Sequence, residues 1–278
     1  MNGENMARVV AGPAEGSKTG TIVCDLDGVL YIDKAGVPGA AAALTALQQS
    51  GFHLLFVTNN STKTPETVVE HIAERTGFEA DLDAVVTSAM ATAGYLADRA
   101  ERCLVLGGAG LIHTLNRYGI EVTDDWERAD AVATGLDLDL SYERVAAAMS
   151  AIRNGAVFVA TNTDDTYPTP AGLRPGGGSI AAAVATAAGR EPVVCGKPHE
   201  PIRRLVRERL APGPVWVVGD RPETDLAMGV VEGWSTVLVL SGVTEDPAHV
   251  PADLRPDLTV DSIVDLPGAL SSAASAGS

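Results

Sequence analysis

Short, unbroken apolar runs punctuate this chain, and each ends in glycine or a polar residue. Four of them, residues 21–24, 53–57, 192–195 and 215–218, show no alternation of apolar and polar positions. Runs of this length, rich in β-branched residues, predict strands buried on both faces and hence a parallel sheet with helices on either side. Between the second and third runs, residues 103–106, 129–133 and 157–160 predict three more strands. Residues 111–118, 142–153 and 179–188 predict helices. In the second of these, Val145, Ala148, Met149 and Ile152 recur at helical spacing. Alternation of this kind predicts a smaller α/β unit set inside a larger one. No internal repeat interrupts it.

The expected fold is therefore α/β. A doubly wound, Rossmann-like parallel-sheet core comes from residues 20–84 and 190–270, and residues 85–189 form an inserted α/β domain. Residues 1–19 and 271–278, rich in small residues, read as tails.

Chemistry concentrates where the four runs end. Asp25-Leu26-Asp27-Gly28 follows the first. On an extended strand, residues two apart share a side, so the two carboxylates sit together. Gly28 lets the backbone turn and approach a ligand. Paired carboxylates repel unless a cation lies between them, and an all-oxygen donor set suits Mg²⁺. With a phosphate beside the metal, one carboxylate can attack phosphorus while the other moves a proton. Two other Asp-x-Asp pairs, Asp81/Asp83 and Asp137/Asp139, lack the glycine and the clean apolar run.

The second run leads into Thr58-Asn59-Asn60, which offers hydroxyl and amide donors for phosphoryl oxygens. The third leads into Gly196-Lys197-Pro198, with a point charge for developing negative charge. The fourth leads into Gly219-Asp220, a further hard oxygen for the metal, with Asp225 five residues on as an outer carboxylate that orients the metal or its waters. In parallel sheets, ligands bind at the carboxyl ends of strands.

Taken in order, Asp25-x-Asp27-Gly-Val, Val-Thr58-Asn-Asn, Gly-Lys197-Pro and Gly-Asp220-Arg-Pro-Glu-Thr-Asp225 resemble the four motifs of haloacid dehalogenase-like phosphatases. The likeness is greatest to the NagD-like and 4-nitrophenylphosphatase-like branch, which carries a large cap between the second and third motifs. Residues 87–93, 160–162 and 167–170 also look like that branch, and the resemblance covers roughly residues 20–266. It implies that Asp25 is a nucleophile that becomes an aspartyl phosphate. It implies that Asp27 protonates the leaving alcohol and then deprotonates water. Thr58, Asn59 and Lys197 would hold the phosphoryl group. Asp25, Asp220 and the backbone carbonyl of Asp27 would hold Mg²⁺. The cap would face the site, select the leaving group and pair two chains into a homodimer. Cys24 departs from the bulky apolar residue expected behind the nucleophile.

The resulting expectation is a Mg²⁺-dependent phosphatase acting on a small phosphorylated metabolite. Glycerol phosphate, phosphoglycolate, nucleotides, sugar phosphates and pyridoxal phosphate all remain compatible. Two rivals stay open: a phosphomutase or phosphotransferase using the same intermediate, and a non-catalytic phosphometabolite-binding module. In the cap, Asp164, Asp165, Tyr167 and Arg174 fall in what reads as a long loop before Gly176-Gly177-Gly178. Which of them points inward stays open as well. Gly108-Ala109-Gly110, between a strand and a helix with Asp130 beyond, resembles the start of a dinucleotide fingerprint, but His113 stands at its third glycine position.

Composition narrows the partners. A formal charge of −16 argues against nucleic acid, which needs a basic footprint. No apolar stretch is long enough for a membrane span, and residues 1–19 lack the apolar stretch of a signal peptide. Three cysteines, Cys24, Cys103 and Cys195, lie in or beside apolar runs. They read as reduced core thiols in a cytoplasmic protein. A nucleophilic role for Cys195 is conceivable, but the sequence places no partner histidine for it.

Overall fold

The computed structural model describes residues 20–32, 34–169 and 172–276. The tail expected at residues 1–19 lies outside them, as do residues 277–278. The chain opens with β1 (Thr21–Cys24), a small hairpin of β2 (Tyr31–Ile32) and β3 (Ala35–Gly36), α1 (Ala40–Gln49), β4 (His53–Thr58), α2 (Pro65–Thr76) and β5 (Val85–Thr87). It continues through α3 (Ser88–Leu96), β6 (Arg102–Leu106), α4 (Ala109–Arg117), β7 (Glu121–Val122), β8 (Ala131–Thr134), α5 (Tyr142–Arg153) and β9 (Val157–Ala160). A second hairpin follows, β10 (Thr166–Thr169) and β11 (Gly172–Pro175), then α6 (Gly177–Ala188) and β12 (Val193–Val194). The last part holds α7 (Glu200–Arg207), β13 (Val215–Gly219), α8 (Ala227–Glu232), β14 (Ser235–Val239), β15 (Leu258–Val260) and α9 (Leu266–Ala276).

Two parallel sheets organise these elements. The first has the order β15-β14-β13-β1-β4-β5, so β1 is central and the order reverses beside it. The second has the order β12-β9-β8-β6-β7. Alternation along β1 explains the double burial: Ile22 and Cys24 join a cluster with α1 and α9, while Val23 joins one with α3 and α7. The latter cluster runs on into the second sheet through Cys103, Val105, Ala131 and Ala133. The two sheets therefore share apolar core. The other face of the second sheet is closed by α5 and α6.

Four local expectations need correction. The run at 192–195 was expected in the first sheet, but Val193 and Val194 pair with Val159 and Ala160 at the edge of the second. An apolar run carries no label for which sheet it joins. Val85–Thr87, just past the expected boundary at 84, is an edge strand of the first sheet, paired with β4. The long cap loop is instead the β10–β11 hairpin, whose residues are mostly solvent-facing and so show no burial pattern. Residues 271–276 continue α9 rather than forming a tail, because Leu266 and Leu270 bury against α1 and anchor the helix.

Candidate active site

β1 delivers Asp25 to the middle of the sheet's carboxyl edge, where its N–H still donates to Val218 O at 2.9 Å. The chain then turns. Gly28 has φ of 87°, and a Cβ there would lie 2.3 Å from Asp220 Oδ2. Glycine at this position thus lets the first and fourth strand ends converge. The turn closes with Gly28 N–H donating to Tyr31 O at 2.8 Å.

Lys197 gathers the site. Its Nζ donates to Asp25 Oδ1 at 2.7 Å, to Asp225 Oδ1 at 2.6 Å and to Val57 O at 3.0 Å. All three donor protons of the ammonium are placed, and Lys197 is only 3% exposed. Burial works against its charge, but Asp225 and Asp25 more than offset that, and the ammonium is held above its ordinary range. Burial pushes the Asp25 carboxyl up; Lys197 pulls it down, and Asp225 and Asp220 push it up again. Asp27 is exposed to solvent, with protein groups close around its carboxyl. Partial dehydration raises its carboxyl, and Arg75, Lys197, Arg221 and His71 pull it back.

Asp220 and Asp225 come from β13 and the turn after it. Asp220 Oδ2 accepts from Val243 N–H at 2.7 Å, while buried Oδ1 has no hydrogen-bond partner among the described residues. Burial and Asp225 push the Asp220 carboxyl up to about 6. Ligand oxygens of Asp25, Asp220 and Asp225 lie within 4.8 Å of one another. Three carboxylates against one lysine leave net negative charge, and an orphaned buried oxygen is costly. This donor set fits a hard divalent cation. Asp225, expected as an outer carboxylate toward the metal, spends Oδ1 on Lys197 and Oδ2 on Arg221 N–H at 3.2 Å.

Thr58 ends β4, where its Oγ1 accepts from Asn60 N–H at 3.0 Å and keeps its own proton for a ligand. The Asn59 side chain, expected to face phosphoryl oxygens, is committed to Lys197: Oδ1 accepts from Lys197 N–H at 2.7 Å, and Nδ2 donates to Lys197 O at 3.3 Å. An apolar run followed by Thr-Asn-Asn marks a strand end but does not say which amide turns toward which strand.

The second sheet adds residues the strand-end pattern missed. Asn162, after β9, donates to Asn59 O at 2.9 Å. Thr161 Oγ1 accepts from Ser61 Oγ at 3.1 Å. Asp164 lies near the site: burial raises its carboxyl, and the charges of Arg221 and Lys197 lower it. Asp165 is exposed, and its carbonyl accepts from Gly176 N–H and Ser179 Oγ. The signal available was Thr161-Asn162 directly after an apolar run, the same pattern that marked Thr58-Asn59.

Other candidates fall away. A Cβ on Gly110 would meet Thr62 and Lys63 backbone at 2.5 Å, and Gly110 N–H donates to Thr62 O at 3.1 Å. The glycine turn is spent on chain packing, and Asp130 caps β6 through Arg102 N–H at 2.9 Å. Asp137 is tied to Arg144 at 2.6 Å. Asp81 and Asp83 line a cavity of about 300 Å³ with His53 and Arg209, at the opposite end of β4. Burial pushes the Cys195 thiol up to about 12.

Comparison with known proteins identifies the family and the fold. Residues 22–121 match a family model described as haloacid dehalogenase-like hydrolase, and residues 194–266 match one described as HAD-hydrolase-like. The chain is 40% identical over 224 residues to an acid sugar phosphatase of Staphylococcus haemolyticus, covering 79% of this chain and 84% of that protein. A glycerol phosphate phosphatase from Mycobacterium tuberculosis, solved in complex with magnesium, superposes with a TM-score of 0.81 at 34% identity, covering 90% of this chain and 76% of that one. A p-nitrophenyl phosphatase from Archaeoglobus fulgidus gives a TM-score of 0.82 at 31% identity, covering 91% and 99%.

Proposed function

This chain belongs to the haloacid dehalogenase-like hydrolases and is a phosphatase, and from that premise we propose that it cleaves small polyol or sugar phosphate monoesters, with Mg²⁺, through a phosphorylated Asp25. The observation that carries the reading is the buried cluster of Asp25, Lys197, Asp225 and the unpartnered Asp220 oxygen at one sheet edge.

In this reading an Asp25 oxygen attacks phosphorus and the ester P–O bond breaks. Asp27 gives its proton to the departing alkoxide. Water then attacks phosphorus, Asp27 takes its proton, and the acyl phosphate P–O bond breaks to release phosphate and restore Asp25. Lys197 and the Thr58 hydroxyl stabilise the charge on the phosphoryl oxygens. Asp25, Asp220 and the Asp27 carbonyl would hold the cation, with Asp225 fixing Lys197 beside it. Bound there, Mg²⁺ supplies Lewis-acid neutralisation of the phosphoryl charge.

The second sheet and its helices, residues 88–194, act as the cap over a core of 20–87 and 195–276, and Asp164 is a cap carboxylate near the site. An acceptor there suits a leaving group bearing hydroxyls, in line with the names of the sugar and glycerol phosphate phosphatases. No described helix is long and apolar enough to cross a membrane. Three buried free thiols support a cytoplasmic setting. Pairing of two chains through the cap belongs to the same reading. Phosphate release from a panel of esters with Mg²⁺ tests it. Glycerol and sugar phosphates should lead, and a panel in which nucleotides or phosphoglycolate dominate would refute the substrate class.

A further inference from the structure

Three separate stretches of chain converge on Asn59. Its side chain brackets the Lys197 backbone through bonds of 2.7 and 3.3 Å. Its main-chain carbonyl accepts from Ser88 Oγ at 2.7 Å and from Asn162 Nδ2 at 2.9 Å. Ser88 opens α3, where the chain leaves the first sheet for the second, and Lys197 lies just past β12, where it returns. Asn162 sits at the end of β9, 103 residues from Asn59.

Asn162 itself has no slack. It is 6% exposed, and its Oδ1 accepts from Asp164 N–H at 3.1 Å. A Cβ on Gly177 would come within 3.0 Å of that Oδ1. A Cβ on Gly196 would lie 2.4 Å from Thr161 O and 2.5 Å from Asn59 Oδ1. Gly196 thus lies close against the Thr161 backbone and the Asn59 amide, and Gly177 against the Asn162 amide, so a displacement of one is passed to the next.

We propose that Asn162 is a positioning residue: its bond to the Asn59 carbonyl seats the second sheet on the loop after β4 and, through Asn59, sets Lys197 where it holds the phosphoryl group. The inference rests on the reading of Lys197 as a phosphoryl-binding group. Lys197 has no independence from the second sheet, because β12 ends three residues before it and Asn59 fixes its peptide on both sides. Seating the cap and forming the phosphate site are then one event, and misplacing a charged group by about 1 Å is costly to a transfer reaction.

Substitution at Asn162 separates this role from a local one. Aspartate and serine both keep an acceptor for the N–H two residues on, so each preserves the turn to Asp164. Neither can donate to the Asn59 carbonyl as the amide does: N162D sets a carboxylate oxygen against it, and N162S is too short. N162S should unfold cooperatively near the parent midpoint, and N162D, which buries a carboxylate against a carbonyl, cooperatively but at a lower one. Both should lose on the order of tenfold in kcat/KM on 4-nitrophenyl phosphate and on glycerol phosphate alike, the loss expected when a buried hydrogen bond is broken. Calorimetric binding of inorganic phosphate with Mg²⁺ should weaken by a similar factor. Parent-like phosphate affinity and turnover in either folded variant would overturn the proposal. So would a loss confined to glycerol phosphate, which would limit Asn162 to placing Asp164. K197A serves as the control. If it binds phosphate like the parent, the reading of Lys197 fails and takes this inference with it. If K197A is impaired and N162S is not, only the inference about Asn162 fails.

Discussion

Lys197 Nζ lies 2.7 Å from Asp25 Oδ1 across 172 residues of sequence, and both groups are almost wholly buried. The ammonium holds one oxygen of the carboxylate proposed as nucleophile, and Val57 O and Asp225 hold the ammonium in turn. A carboxylate so fixed presents one lone pair in a constant direction, which is what in-line attack on phosphorus requires.

Replacing Asp25 by asparagine keeps the shape and removes the attacking anion. Steady turnover should vanish and beryllofluoride should no longer be trapped, with the circular dichroism spectrum unchanged. Activity within tenfold of the parent would rule Asp25 out as nucleophile.

Asp27→Asn should separate proton transfer from binding. An alkyl alkoxide needs a proton and 4-nitrophenolate does not. In single-turnover phosphorylation the alkyl ester should therefore lose more rate, within the roughly 10²–10⁴ that general acid catalysis contributes. Phosphorylated enzyme should accumulate. Equal losses on both esters without accumulation would remove Asp27 from proton transfer.

The Asp220 carboxyl, raised from its ordinary 3.8 to about 6, links stability to pH. The folded state binds this proton more tightly than the unfolded one. Its contribution is full below about pH 4 and is lost as pH rises through about 6. In EDTA this amounts to at most roughly 3 kcal/mol. Mg²⁺ offsets the ionised cluster, so it should raise Tm more at pH 7.5 than at pH 5, and D220N should shrink that difference. Activity should disappear in EDTA and return with Mg²⁺, while Ca²⁺, with longer and looser coordination, should inhibit. A Tm indifferent to Mg²⁺ at pH 7.5, with full activity after chelation, would exclude the metal.

Gly110→Ala probes the seat of α4 on the Thr62–Lys63 backbone. The added methyl meets three backbone atoms at 2.5 Å, none of which belongs to a flexible side chain. Overpacking of this kind costs about 1–3 kcal/mol. A lower urea midpoint is expected, and an unchanged midpoint would mean the contact yields freely.

Cys103 and Cys195, pushed up to about 12 by burial, and Cys24, pushed higher, remain neutral thiols at pH 8. Native protein should therefore resist iodoacetamide over hours and label at three sites in denaturant. Rapid native labelling that abolishes activity would point instead to an accessible thiol.

The sequence by itself determined the strand ends and the chemistry they carry. Asp25, Thr58, Lys197 and Asp220 each follow a short apolar run, because a buried strand must end before its chain can offer polar groups. A parallel sheet was implied by the runs, as was the presence of a second α/β unit, but not the strand order. Tertiary structure alone decided how the ends divide their work. The run before Lys197 pairs in the second sheet, since an apolar pattern records burial and not partner. Asn59 turns its amide to Lys197, and Asn162 reaches Asn59 from 103 residues away, because hydrogen bonds are set by where two elements meet and not by spacing along the chain. Gly110 could be read as a phosphate-binding turn until the Thr62–Lys63 backbone filled the space where a ligand would sit. Glycine marks close approach in both cases, and what approaches is known only once the chain has folded.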